Sequence, residues 1–324
     1  MILVTGAAGF IGSQVALRLL KQGERVVGID DLNPYYDVSL KQARLAPLTA
    51  IEDFHFLKLD ISDQERVADL ERQFPNVTAI LHFAAQPGIR YSLVNPYAYI
   101  QANVMGQVTM LELARKLRAL RHFVYASSSS VYGGNVSLPF SVGDPVEQPN
   151  SLYAATKRAD ELIAYTYAHL YGIACTGLRF FTVYGPWGRP DMVPMIFTRA
   201  ILSGQPIKLF NRGEMWRDFT YIDDIVRGVL SALERVPSGT PPHKLYNLGN
   251  SRSEKLTDFL AQLESALQRR AVVQLEPMPP GDVERTYADI ESSRRDLGFE
   301  PATPITAGIP QFVKWYTDFY GVQI

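Results

Sequence analysis

Short apolar runs alternate, through the first half of the chain, with longer stretches in which apolar residues recur every three or four positions. The runs are Ile2 to Val4, Arg25 to Ile29, Phe54 to Leu59, Ala79 to Phe83, His122 to Ala126 and Ala174 to Phe180. Their length and aliphatic content predict strands, and the stretches between them predict helices. Strands separated by helices need crossover connections, so the repetition predicts an α/β fold with a doubly wound parallel sheet covered on both faces. After Tyr184 the rhythm gives way to Gly185-Pro186-Trp187-Gly188-Arg189-Pro190, and later to the proline-rich Pro277 to Gly281, both predicted as loops. Between them, Ile222 to Leu233 predicts a helix capped by Asp223-Asp224 in its first turn, and His243 to Leu248 another buried strand. Both are expected to return to the first unit. The expected organisation is residues 1–184 plus about 221–251 as one domain, and about 185–220 plus 252–300 as a smaller, discontinuous substrate-binding lobe. Residues 301–324 are expected to form a C-terminal helix. A ligand cleft should lie between the lobes, beyond the carboxyl ends of the strands.

With 324 residues and 47% hydrophobic content, the chain can bury a full core, which excludes a disordered class. The net charge of -1 comes from acids and bases scattered along the chain, so neither a nucleic-acid nor a membrane footprint is expected. Cys175, the single cysteine, lies in an apolar run and is expected to be a small buried hydrophobe. The chain opens directly on a strand, without a basic leader, and holds no uncharged stretch of bilayer length. The expectation is a soluble cytoplasmic protein with no metal site.

The first strand runs into Gly6-Ala7-Ala8-Gly9-Phe10-Ile11-Gly12 and then into a helical stretch, Ser13 to Leu20. In a Rossmann-type dinucleotide site Gly6 permits the tight turn, Gly9 admits the pyrophosphate, and Gly12 lets the helix pack close to the strand. The helix N-terminus, from Phe10 and Ile11 onward, supplies N–H donors to the phosphates. The second strand ends at Asp30, spaced to accept hydrogen bonds from adenosine ribose hydroxyls. An acid there repels a 2'-phosphate and no arginine follows directly, so NAD is the expected cofactor. Asp60 with Ile61, after the third strand, and Ala84-Ala85, after the fourth, are further cofactor candidates at strand ends.

Tyr153-Ala154-Ala155-Thr156-Lys157 places a phenol and an ammonium one helical turn apart on the same face. A nearby cation stabilises a phenolate, which makes such a phenol a usable base for a hydroxyl proton. Upstream, Ser127-Ser128-Ser129-Ser130-Val131-Tyr132-Gly133 puts several hydroxyls at a strand's carboxyl edge. Together these marks resemble the extended short-chain dehydrogenase/reductase family over essentially the whole chain. Longer strings resemble its UDP-glucuronate 4-epimerase subgroup. They are Asp30-Asp31-Leu32-Asn33-Pro34-Tyr35-Tyr36-Asp37, Arg90-Tyr91-Ser92, and Arg179 to Met192 through Tyr184-Gly185-Pro186-Trp187-Gly188-Arg189-Pro190-Asp191.

The resemblance implies that Tyr153 removes the sugar 4-hydroxyl proton, Lys157 holds the nicotinamide ribose, and Ser128 shares the hydrogen bonds to the 4-oxygen. Hydride would pass from C4 to NAD and return to the other face of a 4-keto sugar that has turned in the site. Arg189, Thr182, Ser129 and Ser130 would contact the sugar carboxylate, Arg189 through a two-pronged pairing. Arg217 would meet the diphosphate and Asp282 the uridine ribose. A homodimer, paired through the helices around Tyr99 to Leu117 and Leu152 to Leu170, is also implied. Asp191 departs from the pattern: other sugar-nucleotide 4-epimerases carry an asparagine near the phosphates at this point, so no phosphate role is assigned to it.

Other outcomes share the first step. Related decarboxylases carry a glutamate immediately before Val-Tyr-Gly, where this chain has Ser130, and 4,6-dehydratases carry an Asp-Glu pair where it has Ser129-Ser130. Without those acids epimerisation is the expected reaction, of UDP-glucuronate first, with a neutral UDP-hexose or UDP-N-acetylhexosamine as the alternative. A non-catalytic NAD-binding regulator on the same fold would have no need of Tyr153 and Lys157.

Overall fold

Each apolar run of the first half forms a strand in the computed structural model, which describes residues 1–278 and 282–323. The strands are β1 (Ile2–Thr5), β2 (Val26–Asp30), β3 (Phe54–Lys58), β4 (Ala79–His82), β5 (His122–Ser128) and β6 (Cys175–Phe180). A seventh, His243–Leu248, joins β6 in parallel, so the sheet order is His243–Leu248, β6, β5, β4, β1, β2, β3. Every pairing in this sheet is parallel. The strand order reverses direction between β1 and β4, which opens a crevice at their carboxyl ends.

Successive side chains of a strand point to opposite faces, and two cores result. Val4, Val26, Leu81 and Val124 pack with Val15, Leu19, Ile225 and Val229 on one face. Leu3, Ile29, Ile80 and Phe123 pack with Met110, Leu113, Ala164 and Ala168 on the other, where Cys175 is fully buried as expected. Burial pushes its thiol up to about 12, so it stays neutral.

Some elements differ from the sequence expectation. The helix after β1 spans Phe10–Lys21 and begins three residues before Ser13, because Gly9 is extended and turns the chain straight into the first turn. Ile222–Glu234 is a helix, but Asp223 and Asp224 do not cap it; Asp224 instead pairs with Arg227 and accepts from the Thr303 amide at 3.0 Å. His243–Leu248 lies at the sheet edge, and only its last three residues are buried. The predicted helix from Tyr99 to Leu117 passes through a π-helical segment, Ile100–Met105, before continuing as Gly106–Lys116. Of the predicted loop Pro277 to Gly281, residues 279–281 lie outside the described residues.

Three further helices, Val193–Ser203, Leu256–Leu267 and Ile305–Tyr320, pack together beside a parallel pair, Pro206–Leu209 with Val272–Leu275. The last of these helices lays Trp315 and Phe319 against Trp187, which fixes the 185–192 loop from its outer side. Among the described residues no helix is long and apolar enough to cross a membrane, and no group of three or more His, Cys, Asp and Glu side chains could hold a metal.

Candidate active site

At the β1 end the glycines are required by contact as well as by conformation. Gly6 has φ +69°, and a Cβ there would lie 2.8 Å from the Ala84 amide nitrogen. A Cβ on Gly12 would overlap the Gly6 carbonyl, and one on Gly9 would approach it to 2.9 Å. Gly9 brings no side-chain cap to the helix Phe10–Lys21, so the first-turn N–H groups remain open to an anion. This is a cradle of the shape and polarity that a pyrophosphate needs.

Asp30 closes β2 and is 6% exposed; its Oδ2 accepts from the Ala8 amide at 3.1 Å and its Oδ1 from the Leu32 amide at 2.9 Å. Each oxygen keeps a lone pair for a ribose hydroxyl. Burial raises its pKa, with Lys41 at 3.6 Å pulling the other way. Ala84 and Ala85 follow β4 in the same crevice, Ala84 anchored by its amide to Thr5 Oγ1 at 3.1 Å. Ile61 is buried, whereas Asp60 is exposed, two residues past the end of β3, and accepts from the amide and hydroxyl of Ser62 at 2.8 Å.

The candidate chemical centre lies where β5 ends against the helix Leu152–Tyr171, whose N-terminus Ser151 caps by accepting from the Ala154 amide at 3.1 Å. Lys157, 4% exposed, donates from Nζ to the Ala126 carbonyl and to Asp160 Oδ2, each at 3.0 Å. Burial works against its charge, but Asp160 and Tyr153 outweigh it and raise its pKa above the usual lysine value. Among the described residues two of its three N–H groups are thus committed, and one is left for a ligand. Half-buried Tyr153 lies one turn earlier, its ring 6.1 Å from that of Tyr99 in an edge-on arrangement.

The serine run divides. Ser127 turns inward and donates to Glu161 Oε1 at 2.7 Å, whereas Ser128, the last residue of β5, donates to Ser130 Oγ at 3.1 Å. Ser129 and Ser130 open a short 3-10 turn and are half-buried. Glu161 is held bidentate by Arg179 at 2.7 and 2.9 Å, which locks the helix Leu152–Tyr171 to β6.

Three loops meet over this centre. Arg189 donates from Nε to Asp191 Oδ1 at 3.0 Å and from Nη2 to Asp191 Oδ2 at 2.7 Å, so its two-pronged pairing is made within its own loop. Tyr35, from the segment after β2, donates to Asp191 Oδ2 at 3.2 Å. A Cβ on Gly88, from the loop after β4, would lie 2.8 Å from the Tyr35 hydroxyl and 3.7 Å from that of Tyr99. Burial works against the Arg189 charge, but Asp191, through its charge and its hydrogen bonds, with a smaller contribution from Tyr153, raises the pKa above the usual arginine value. Arg44 ties the same loop down: it is 2% exposed and donates to the carbonyls of Trp187, Gly188 and Ala8 and to the Tyr36 hydroxyl.

Farther out, Thr182 begins the parallel pair Thr182–Tyr184 with Phe219–Tyr221, and its amide donates to the Asp218 carbonyl at 3.1 Å. Arg217 donates to the carbonyls of Trp216 and Glu284 at 2.8 and 3.1 Å. Asp282 pairs with Arg90 at 3.4 Å, and that guanidinium lies over the Phe210 ring at 4.7 Å.

Sequence reasoning missed several positioning residues. Asn103, 1% exposed, sits in the π-helical segment, accepts from the Gln86 amide at 2.7 Å and donates to Thr156 Oγ1 at 2.9 Å, joining the β4 loop to the helix Leu152–Tyr171. Its signal was an asparagine inside an apolar helical pattern. Asp160, Glu161 and Arg44 gave less, since charged residues on amphipathic helices ordinarily face water.

Comparison with known proteins bears on the family and the fold. A profile of the NAD dependent epimerase/dehydratase family matches residues 2–249. UDP-glucuronate 4-epimerase 1 of Arabidopsis thaliana is 46% identical to the chain over 335 residues, covering 99% of this chain and 77% of that protein. Protein CapI of Staphylococcus aureus is 45% identical, covering 98% of this chain and 99% of that one. The structure of UDP-glucuronic acid 4-epimerase from Bacillus cereus, in complex with UDP-glucuronic acid and NAD, superposes with a TM-score of 0.91 at 32% identity, over 98% of this chain and 99% of the other.

Proposed function

The chain belongs to the NAD dependent epimerase/dehydratase family, and from that membership we infer that it is a UDP-glucuronate 4-epimerase that interconverts UDP-glucuronate and UDP-galacturonate with NAD. NAD supplies a reversible acceptor for the hydrogen on sugar C4. The chain's own residues do the rest. Tyr153 takes the 4-hydroxyl proton and later returns it, Ser128 orients the 4-oxygen, and Lys157 uses its uncommitted N–H on the nicotinamide ribose. Gly6, Gly9, Phe10, Ile11 and Gly12 cradle the pyrophosphate, Asp30 holds the adenosine ribose, and Asp60, Ile61, Ala84 and Ala85 line the cofactor's path.

Arg189, with Thr182, Ser129 and Ser130, is assigned to the sugar carboxylate, Arg217 to the diphosphate and Asp282 to the uridine ribose. In this division residues 1–184 with about 221–251 serve the cofactor, about 185–220 with 252–300 the UDP-sugar, and 301–324 brace the substrate loop. The observation that supports the reading is a chain of contacts over one crevice: the ammonium-backed Tyr153 lies edge-on to Tyr99, and Gly88 sits beside Tyr99, Tyr35 and the Asp191 carboxylate that holds the Arg189 fork.

The test is incubation with UDP-glucuronate and chromatographic resolution of the products. UDP-galacturonate is expected; a UDP-pentose would assign decarboxylation instead, and activity confined to neutral UDP-hexoses would overturn the uronate assignment. Arg189→Ala should lower use of UDP-glucuronate by a factor of roughly ten to a hundred and fifty, from the loss of a charge-assisted contact, with little effect on UDP-glucose. Equal loss on both nucleotides would make Arg189 a support of its loop.

The protein is further proposed to act in the cytoplasm, with no nucleic-acid or membrane partner, as a homodimer. Tyr97, Ile100, Leu162 and Tyr165 are 83%, 48%, 52% and 48% exposed at helical spacing on neighbouring helices, more apolar surface than a helix facing only its own core presents. Light scattering at micromolar concentration should give twice the 36.3 kDa chain mass; a monomer would refute the pairing.

A further inference from the structure

Asp191 has no part in the reaction described above, yet it is the most firmly held acid above the crevice. Its Oδ2 takes both Arg189 Nη2 and the Tyr35 hydroxyl, and its Oδ1 takes Arg189 Nε. Tyr35 therefore fixes the carboxylate independently of the arginine. A guanidinium offers two edges to carboxylates. Asp191 occupies the Nε side. Toward the other edge, among the described residues, Nη2 meets only the Met192 thioether at 3.7 Å, a weak acceptor that a carboxylate can displace at small cost.

We infer that Asp191 is the resident counter-ion of Arg189: it keeps the fork neutralised whenever the sugar carboxylate leaves, and so limits how firmly that carboxylate is held. The inference rests on the assignment of Arg189 to the uronate. Its chemical reason lies in the epimerisation itself. The 4-keto ring must show both faces to one hydride carrier, and the C5 carboxylate travels with the ring as it turns. An arginine only 22% exposed, with no partner but the substrate, would resist that release, because a desolvated cation left unpaired is costly. With Asp191 in place the fork is never left bare.

The experiment uses Asp191→Asn, which keeps the shape and one acceptor for Arg189 while removing the charge. In a Tyr153→Phe background, where binding can be measured without turnover, UDP-glucuronate should bind about three- to tenfold more tightly, since a like charge within several ångströms has gone. UDP-glucose affinity should stay within about twofold on the same reasoning, and it reports that the site is folded. With Tyr153 intact, Asp191→Asn should lower both KM and kcat for the uronate, kcat by about tenfold because the carboxylate is released more slowly as the ring turns; an unchanged kcat would overturn the inference. Asp191→Glu, which retains the charge, should restore the wild-type balance.

Weaker UDP-glucuronate binding in Asp191→Asn, or an equal change for both nucleotides, would overturn the inference and leave Asp191 as a support of the loop. Arg189→Gln separates the two readings. If it leaves the UDP-glucuronate to UDP-glucose affinity ratio unchanged, the uronate assignment of Arg189 fails. If it collapses the ratio while Asp191→Asn does not move it, only the counter-ion role fails.

Discussion

Tyr153→Phe should reduce epimerase turnover by about 10²- to 10⁴-fold, the usual contribution of a positioned general acid/base, while leaving NAD bound and the fold intact. The substitution removes one oxygen from a helix face already organised by other contacts. Lys157 keeps its bonds to the Ala126 carbonyl and Asp160, and the Ser151 cap and the Asn103–Thr156 bond persist. The phenylalanine ring can retain the edge-on contact with Tyr99, so little packing is lost. UDP-glucuronate should still bind, which makes kcat the quantity that falls. Measuring product formation alongside NAD content and the thermal midpoint checks this: near-wild-type turnover from a folded, NAD-loaded variant would remove Tyr153 from the mechanism.

The parts of this site that were legible in the sequence are those fixed by local chain geometry. Three glycines at a strand-to-helix junction permit little else, and β1, β2 and β4 each end within a residue of the apolar run that announced them. Tyr153 and Lys157 were readable because a helix of fixed pitch puts residues four apart on one face. What stayed hidden depends on pairings across long stretches of chain. Arg44 meets the carbonyls of Trp187 and Gly188, more than 140 positions away, and nothing in either segment alone foretells the contact. Asp191 was flagged only as a departure; its partner Tyr35 lies 156 positions earlier, in the segment after β2. Asn103 depended on the π-helical segment, a distortion that the apolar periodicity around it does not encode. The pattern therefore yields the backbone scaffold and the groups borne on single elements, and loses the side chains that tie loops to one another.

Glu161 belongs to that hidden class, and its removal should have the largest effect on stability. The carboxylate is 1% exposed and accepts from Arg179 Nε and Nη2, from Ser127 Oγ at 2.7 Å and from Arg158 Nη1 at 2.9 Å. Glu161→Ala leaves Arg179, also 1% exposed, without its counter-charge between β6 and the catalytic helix. Breaking a buried pair from one side costs about 3–5 kcal/mol, because the remaining charge is uncompensated. Denaturant titration should show the unfolding free energy lowered by that amount, read as a midpoint shift equal to the loss divided by a nearly constant slope. A double change, Glu161→Met with Arg179→Met, should recover much of the loss, since apolar side chains of similar volume need no counter-ion. By contrast, breaking the exposed pair Lys314–Asp318 should leave the midpoint almost unmoved. The pair also predicts a pH dependence. Burial tends to raise the Glu161 pKa, but Arg179, Ser127 and Arg158 together hold it below the ordinary value of 4.5. A carboxyl whose folded value is lowered contributes stability that is present above its ordinary range and lost as the pH falls through the lowered value. The gap between wild type and Glu161→Ala should accordingly be constant near neutrality and narrow only below about pH 4.5. A gap that is already closing at pH 6 would mean that Glu161 is not the carboxyl that holds β6 to the catalytic helix.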